Sequence, residues 1–437
     1  MTQALRVGVA GLGTVGAALV AQIARQREAL VARCGRRIEV TAVCARAKAK
    51  DRGVDLKKMK WFSDPAALAC DASIDVFVEL IGGAGDPAKS AIEAALASGK
   101  SAVTANKALL AKHGVRLAAL AEKHHVALNF EAAVGGAIPI VKTIREGLAG
   151  NSFERIYGIL NGTCNYILTR MEQDKLSFAE CLKEAQRLGY AEADPGFDVE
   201  GHDTAQKLAI LASLAFGTKV DQSAIYVEGI SSIAPADLAA ADELGYRVKL
   251  LGVAVKTPKG IEQRVHPTMV RKESAIAQVM GVTNAVTVDA EGINPLTLVG
   301  PGAGGMATAS AVLSDIGDIA RGVRTAPFGR PCDKLTSVRK APMQRHEGGY
   351  YIRLQARDKP GTAATIATRL AEQDISLESI VQRHDQKGPA GPGKGGSVPV
   401  ILITYATTED AVRKALAGVA RDRVISGRPQ VIRIEKN

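Results

Sequence analysis

The feature that most restricts the fold stands near the start of the chain. A short apolar run, Leu5 to Ala10, feeds directly into Gly11-Leu12-Gly13-Thr14-Val15-Gly16, and the composition from Ala17 to Ala29 favours a helix. The order is strand, glycine-rich turn, helix. In that order the glycines have distinct roles, since the first permits the tight turn, the second lets backbone approach a pyrophosphate, and the third allows close packing of helix on strand. The helix N-terminus adds free N–H groups and a partial positive charge. A glycine turn alone can serve structure only, so the pattern downstream of it matters.

Strand-like runs recur at Ile38 to Ala45, Ile74 to Leu80 and Ser101 to Thr104, with helix-forming stretches between them. This alternation implies an α/β domain, a Rossmann-type doubly wound parallel sheet, over residues 1–132. A second strand that served the ribose 2′-hydroxyl of NAD should end on an acid. It ends instead on Ala45-Arg46-Ala47-Lys48. A guanidinium with no adjacent carboxylate suits a 2′-phosphate, so NADP is expected ahead of NAD, with Arg46 and then Lys48 as contacts. The other basic residues up to Lys60 read as a solvated loop. Lys107, just past the fourth strand, stands where open α/β sheets place ligand contacts, although a helix-start lysine can also be merely exposed.

Near Ala133 the pattern changes. The glycine-rich joint Val134-Gly135-Gly136-Ala137-Ile138-Pro139 leads into longer amphipathic helices through Phe216 and mixed strands to about Val299. We expect an α+β substrate and dimerisation domain over 133–305, with the helical run in 306–325 returning to the first domain. Residues 326–347, rich in Pro, Arg and Lys, read as a linker. Over 348–437 the order strand, helix, strand, strand, helix, strand is ferredoxin-like βαββαβ and reads as a module outside the catalytic core.

The stretch Gly189 to Lys207 crowds Glu192, Asp194, Asp198, Glu200 and Asp203 together. On a helix Asp203 and Lys207 are i, i+4 neighbours, and their face continues through Ile210, Leu211 and Leu214. An ion pair at the head of an apolar stripe is a catalytic candidate; the alternative is a surface salt bridge of little consequence. The carboxylate spacing matches neither an EF-hand nor a zinc pattern. Cys164, in Asn161-Gly162-Thr163-Cys164-Asn165, reads as a packed thiol because no histidine partner is positioned for it in sequence.

Composition narrows the field further. The six cysteines have no C-x-x-C spacing, and no apolar run is long enough to span a membrane, so a cytoplasmic protein without disulfides is expected. The net charge of +11 is compatible with nucleic acid, an anionic surface or phosphate-bearing ligands, but aromatics are only 4%, too few for base-stacking platforms. We expect neither nucleic acid nor a membrane as partner.

Taken in order, Gly11 to Gly16, Thr104-Ala105-Asn106-Lys107, Glu131-Ala132-Ala133-Val134-Gly135-Gly136-Ala137-Ile138-Pro139, Ile159-Leu160-Asn161-Gly162-Thr163 and Gly189 to Lys207 resemble the homoserine dehydrogenases. The tail, with Asp358-Lys359-Pro360-Gly361, looks like an ACT domain. The resemblance implies reversible NAD(P)H-dependent reduction of L-aspartate 4-semialdehyde to L-homoserine, in the biosynthesis of threonine and methionine. It implies Lys207 as acid/base, Lys107 as a second essential lysine beside cofactor and substrate, and Glu192 and Asp203 as substrate contacts. Gly11, Gly13, Thr14, Val15, Gly16, Arg46, Lys107 and Gly304 would line the cofactor. A sodium or potassium ion would sit near Glu131, Val134, Gly136 and Ile138, largely on backbone oxygens. A homodimer or homotetramer is implied, with threonine as an effector of the tail. Two departures stand out: Gly135-Gly136-Ala137 where members often carry three glycines, and Asp374-Ile375-Ser376 where amino-acid-binding ACT domains often place an Asn. The tail is therefore a threonine site or mainly a dimerising or relay module. Two rival readings are a nucleotide- and amino-acid-sensing protein without turnover, and a dehydrogenase of a related semialdehyde or hydroxy acid.

Overall fold

The computed structural model describes residues 3–341, 347–382 and 396–435. Strands β1 (Leu5–Ala10), β2 (Ile38–Cys44), β3 (Lys60–Phe62), β4 (Val76–Glu79), β5 (Ser101–Thr104) and β6 (Leu128–Asn129) form one sheet in the order β3-β2-β1-β4-β5-β6, every pair parallel. That order reverses direction between β1 and β4, the crevice at which doubly wound sheets bind dinucleotides. Val7, Val9, Val76, Val78 and Val103 are fully buried in it, as expected of parallel strands covered on both faces. Two strands escape the sequence pattern because they are too short to show a period: β3 emerges from the end of the basic stretch, and β6 spans two residues.

Helix Thr14–Arg25 lies against helix Gly305–Ala320, and Leu19, Val20 and Ile23 share one apolar cluster with Ala309, Val312 and Ile316. The two helices approach closely because Gly305 has no side chain: a Cβ there would stand 2.8 Å from Thr14 Cγ2. Residues 326–341 are laced to the body and do not run free. Phe328 and Leu335 are buried, Thr336 N donates to Gly217 O, and Ile261 N donates to Arg339 O.

The second sheet is built from β7 (Phe153–Ile159), β8 (Tyr226–Val227), β9 (Tyr246–Thr257), β10 (Gly260–Arg271), β11 (Thr283–Ala290) and β12 (Ile293–Pro301). The tail adds β13 (Glu347–Arg357), β14 (Leu377–Gln382), β15 (Ser397–Thr404), the short β16 (Thr407–Thr408) and β17 (Ile425–Ile434). Within the tail the sheet runs β17-β13-β15-β14, with helices Thr362–Ala371 and Glu409–Arg421 packed on it. The sequence pattern sets this module apart from the catalytic core, whereas β17 pairs in parallel with β10 (Thr268 with Arg433, Met269 with Ile434). The two modules thus share one 11-stranded sheet.

Buried ion pairs fix that seam. Arg433, 3% exposed, holds Glu409 at 2.7 Å and Glu228 at 2.6 Å. Asp237, fully buried at the start of helix Pro235–Glu243, accepts from Arg353 Nε at 2.6 Å and Tyr351 Oη at 2.9 Å. These partners lie more than a hundred positions apart in the chain, apart from Glu409 and Arg433, so no local pattern announces them.

Candidate active site

Helix His202–Phe216 is buried along almost its whole length, and its first two turns carry Asp203 and Lys207. Lys207 Nζ donates to Asp203 Oδ2 at 2.8 Å and to Leu160 O at 2.7 Å. Lys107 approaches from the other domain as the first residue of helix Lys107–Lys123, which Asn106 caps through Leu109 N. Its Nζ stands 2.9 Å from Asp203 Oδ1. Both oxygens of one buried carboxylate are therefore occupied by ammonium groups from two domains. Asn161 completes the set, its Nδ2 donating to Asp203 Oδ2 at 3.0 Å and to Asp198 Oδ1 at 2.8 Å while its Oδ1 caps helix Gly162–Asp174 through Cys164 N.

The electrostatics follow from that geometry. Burial pushes the Asp203 carboxyl up, but Lys207 and Lys107 outweigh it and hold the group well below the usual carboxylate range. Asp198 is pushed the other way, by its own burial and then by the charge on Asp203. Lys207 has three ammonium protons, and two are directed to Asp203 and Leu160 O, so one remains for an incoming oxygen. Cys164 is fully buried, its Sγ donates to Asp198 O, and burial raises its thiol well above the ordinary value. It is a packed thiol and no nucleophile.

Glu79 is a site residue that the sequence pattern does not single out. It ends β4 fully buried, accepting Ile81 N, Gly82 N and the Thr104 hydroxyl, and Thr104 Oγ1 in turn accepts Asn106 N. It thereby fixes the loop after β4 and the turn that presents Lys107. An acid inside an apolar strand run was the available signal. Asn161 likewise could be read only as a helix cap, because its second role depends on residues about forty positions away.

Around the glycine turn the three glycines differ as their roles require. Gly11 has φ +99°, and a Cβ there would meet Leu80 O at 2.3 Å; one on Gly16 would meet Gly11 O at 2.0 Å. A Cβ on Gly13 would meet nothing within 4 Å, which leaves backbone open to a pyrophosphate. Thr14 and Val15 open the helix, and Arg46 is exposed just beyond β2. Gly304, at φ +116°, precedes the glycine that packs on Thr14, so it lies next to the turn. Arg52, which the sequence places in a solvated loop, instead donates to Leu12 O at 3.3 Å and Ala47 O at 2.5 Å and ties the basic loop to the turn.

Other residues lie apart from this cluster. Glu192 is exposed on the loop before Gly196–Val199, where its backbone O accepts from Gln186. Glu131, Val134, Gly136 and Ile138 form one tight turn against the 300–304 loop, with Ala137 N donating to Pro301 O. Both Glu131 carboxylate oxygens accept backbone amides, of Val141 and Lys142, and burial, partly offset by those amides, raises the group. An ion there would rest on backbone oxygens. Among the described residues no group of three or more His, Cys, Asp or Glu is arranged to hold a metal, and no helix is long and apolar enough to cross a membrane.

A doubly wound sheet with a pyrophosphate-ready glycine turn, facing a lysine–aspartate–lysine set centred on a buried carboxylate, defines a nicotinamide-dependent dehydrogenase. The family models sharpen this: homoserine dehydrogenase matches residues 139–316, its NAD-binding domain residues 11–131, and the ACT domain residues 350–421. The homoserine dehydrogenase of Neisseria gonorrhoeae is 43% identical over 421 residues, 95% of each chain, and that of Pseudomonas aeruginosa 42% over 438 residues, 99% of each. The crystal structure of a homoserine dehydrogenase from Thiobacillus denitrificans superposes with a TM-score of 0.92 at 40% identity, covering 99% of both chains. A hyperthermophilic archaeal homoserine dehydrogenase solved with NADPH matches at TM-score 0.61 and 26% identity over 72% of this chain and 97% of its own. The chain belongs to the homoserine dehydrogenase family and carries a C-terminal ACT domain.

Proposed function

We propose that the site interconverts L-aspartate 4-semialdehyde and L-homoserine with NADP(H), and that Lys207 is its acid/base. The observation that carries this reading is the convergence of Lys107 and Lys207 on both oxygens of buried Asp203. A nicotinamide bound along the glycine turn supplies or accepts the hydride. As hydride reaches the aldehyde carbon, negative charge develops on its oxygen, and the remaining Lys207 proton is placed to neutralise it. In the reverse direction the same amine takes the hydroxyl proton. Asp203 orients Lys207, and Lys107 fixes substrate beside the cofactor. The substrate ammonium requires carboxylates, which Glu192 and Asp203 supply, Glu192 by movement of its exposed loop.

Exposed Arg46 beyond β2 favours NADP, and the NADPH carried by the archaeal relative agrees with that choice. Sodium or potassium would sit on the backbone oxygens of Glu131, Val134, Gly136 and Ile138. The division of labour is 1–132 with 306–325 for cofactor, 133–305 for substrate and dimerisation, 326–347 as connector and 348–437 for regulation by threonine. The enzyme is a cytoplasmic homodimer or homotetramer. The test is direct: purified protein with L-homoserine and NADP should generate reduced-nicotinamide absorbance. Cofactor binding without turnover in either direction would leave a sensor and sink the enzyme reading.

A further inference from the structure

At the far end of helix His202–Phe216 from Asp203 lies a second cavity, of about 420 Å³. The helix separates it from the lysine–aspartate–lysine set by roughly three turns. Its walls come from the segment around Arg145, the helix end at Leu214 to Phe216, the turn between β9 and β10, and the connector after Gly329. Four cations line it, Arg145, Lys256, Arg330 and Arg339, together with the hydroxyls of Ser152, Thr257, Thr336 and Ser337; among the described residues no Asp or Glu does. Such a one-sided wall gives the cavity a positive potential that attracts anions.

Arg145 makes the case for a ligand. Its side chain is only 2% exposed, and its Nε and Nη2 both donate to Glu146 Oε1. Its Nη1 is buried with no hydrogen-bond partner among the described residues. Leaving a guanidinium donor unmet in a buried position is unfavourable, and a ligand oxygen that reached it would satisfy it. The three other cations are exposed, free to close on a ligand from the rim. Guanidinium forks with surrounding hydroxyls suit phosphate oxygens, and the volume exceeds what inorganic phosphate needs.

We propose that this cavity binds a small phosphate-bearing metabolite, as a site separate from both the glycine turn and the reacting centre. Because Arg330 and Arg339 belong to the connector that leads to the ACT domain, occupancy would brace that already docked connector against the substrate domain. Pyrophosphate serves as the probe, in the full-length protein saturated with NADP so that the glycine turn is blocked, at constant ionic strength. Calorimetry should detect binding that the double variant Arg330→Ala/Arg339→Ala weakens by about tenfold or more, the size expected for losing charge-assisted contacts. That variant alters exposed residues outside the catalytic set, so its turnover without pyrophosphate should match the parent. Arg330→Lys/Arg339→Lys should recover part of the affinity. Binding that disappears once NADP is saturating, or that is equally strong in the double alanine variant, would overturn the proposal. Tighter binding of a sugar phosphate than of inorganic phosphate would mark an ester as the ligand; equal binding of sulfate at the same strength would reduce it to an adventitious ion only.

Discussion

At the scale of single residues the chain shows how burial and partners decide what a charged group does. Lys207 is buried with a carboxylate and a carbonyl, whereas Lys249 in β9 is 1% exposed and donates to Asn165 Oδ1 at 3.0 Å and Val279 O at 2.5 Å, both neutral. Burial pushes Lys249 down to about 7. An unfolded lysine titrates near 10.4, so between about pH 7 and about pH 10 the unfolded chain binds more protons and stability rises with pH. Lys249→Met should remove that rise while filling the same space; chemical denaturation midpoints at about pH 7 and about pH 9.5 check it, and an unchanged slope would refute the assignment. Lys207→Ala should lower turnover by roughly 10²- to 10⁴-fold with cofactor affinity nearly unchanged, measured by steady-state kinetics and cofactor titration. Unaltered turnover would remove Lys207 from the chemistry.

Elements place these residues, and their termini do most of the placing. Lys107 reaches Asp203 because β5 ends at Thr104 and the next helix begins at Lys107 under the Asn106 cap. The glycine turn works the same way, and Arg46 comes after β2 as the turn comes after β1. Arg46→Ala should raise the KM for NADP by about tenfold or more while leaving NAD nearly unaffected, since only NADP carries the 2′-phosphate. Equal effects on the two cofactors would show that Arg46 contacts their shared part. Motifs that lie within one strand–turn–helix unit were legible in sequence for this reason. β3 and Glu79 were not, because a three-residue strand has no period and a buried acid declares its role only through the amides folded around it.

For the whole molecule the decisive fact is the sheet shared by the catalytic and ACT modules. Removing the cation from a buried cluster leaves Glu228 without its cation and Glu409 with only the half-exposed Arg413, so Arg433→Met should cost up to about 3–5 kcal/mol. Calorimetry of the parent should show the substrate sheet and tail melting together, and Arg433→Met should lower or split that transition; an unshifted, single transition would mean the seam is not a source of stability. Threonine added during steady-state turnover tests regulation through the same seam. Inhibition in the parent that weakens in Arg433→Met is the expected result, and no response in the parent would leave the tail a dimerising or relay module.

By itself the sequence determined the three-part order of the fold, the glycine turn and the Asp203–Lys207 pair, because each is written in contacts between residues close in the chain. Tertiary structure alone decided that Lys107 meets the second oxygen of Asp203, that Asn161 joins Asp198 to it, and that the tail continues the catalytic sheet through β10 and β17. Those contacts join residues from 37 positions apart, for Asn161 and Asp198, to 165, for Thr268 and Arg433, and only packing of one element on another brings them within hydrogen-bonding distance.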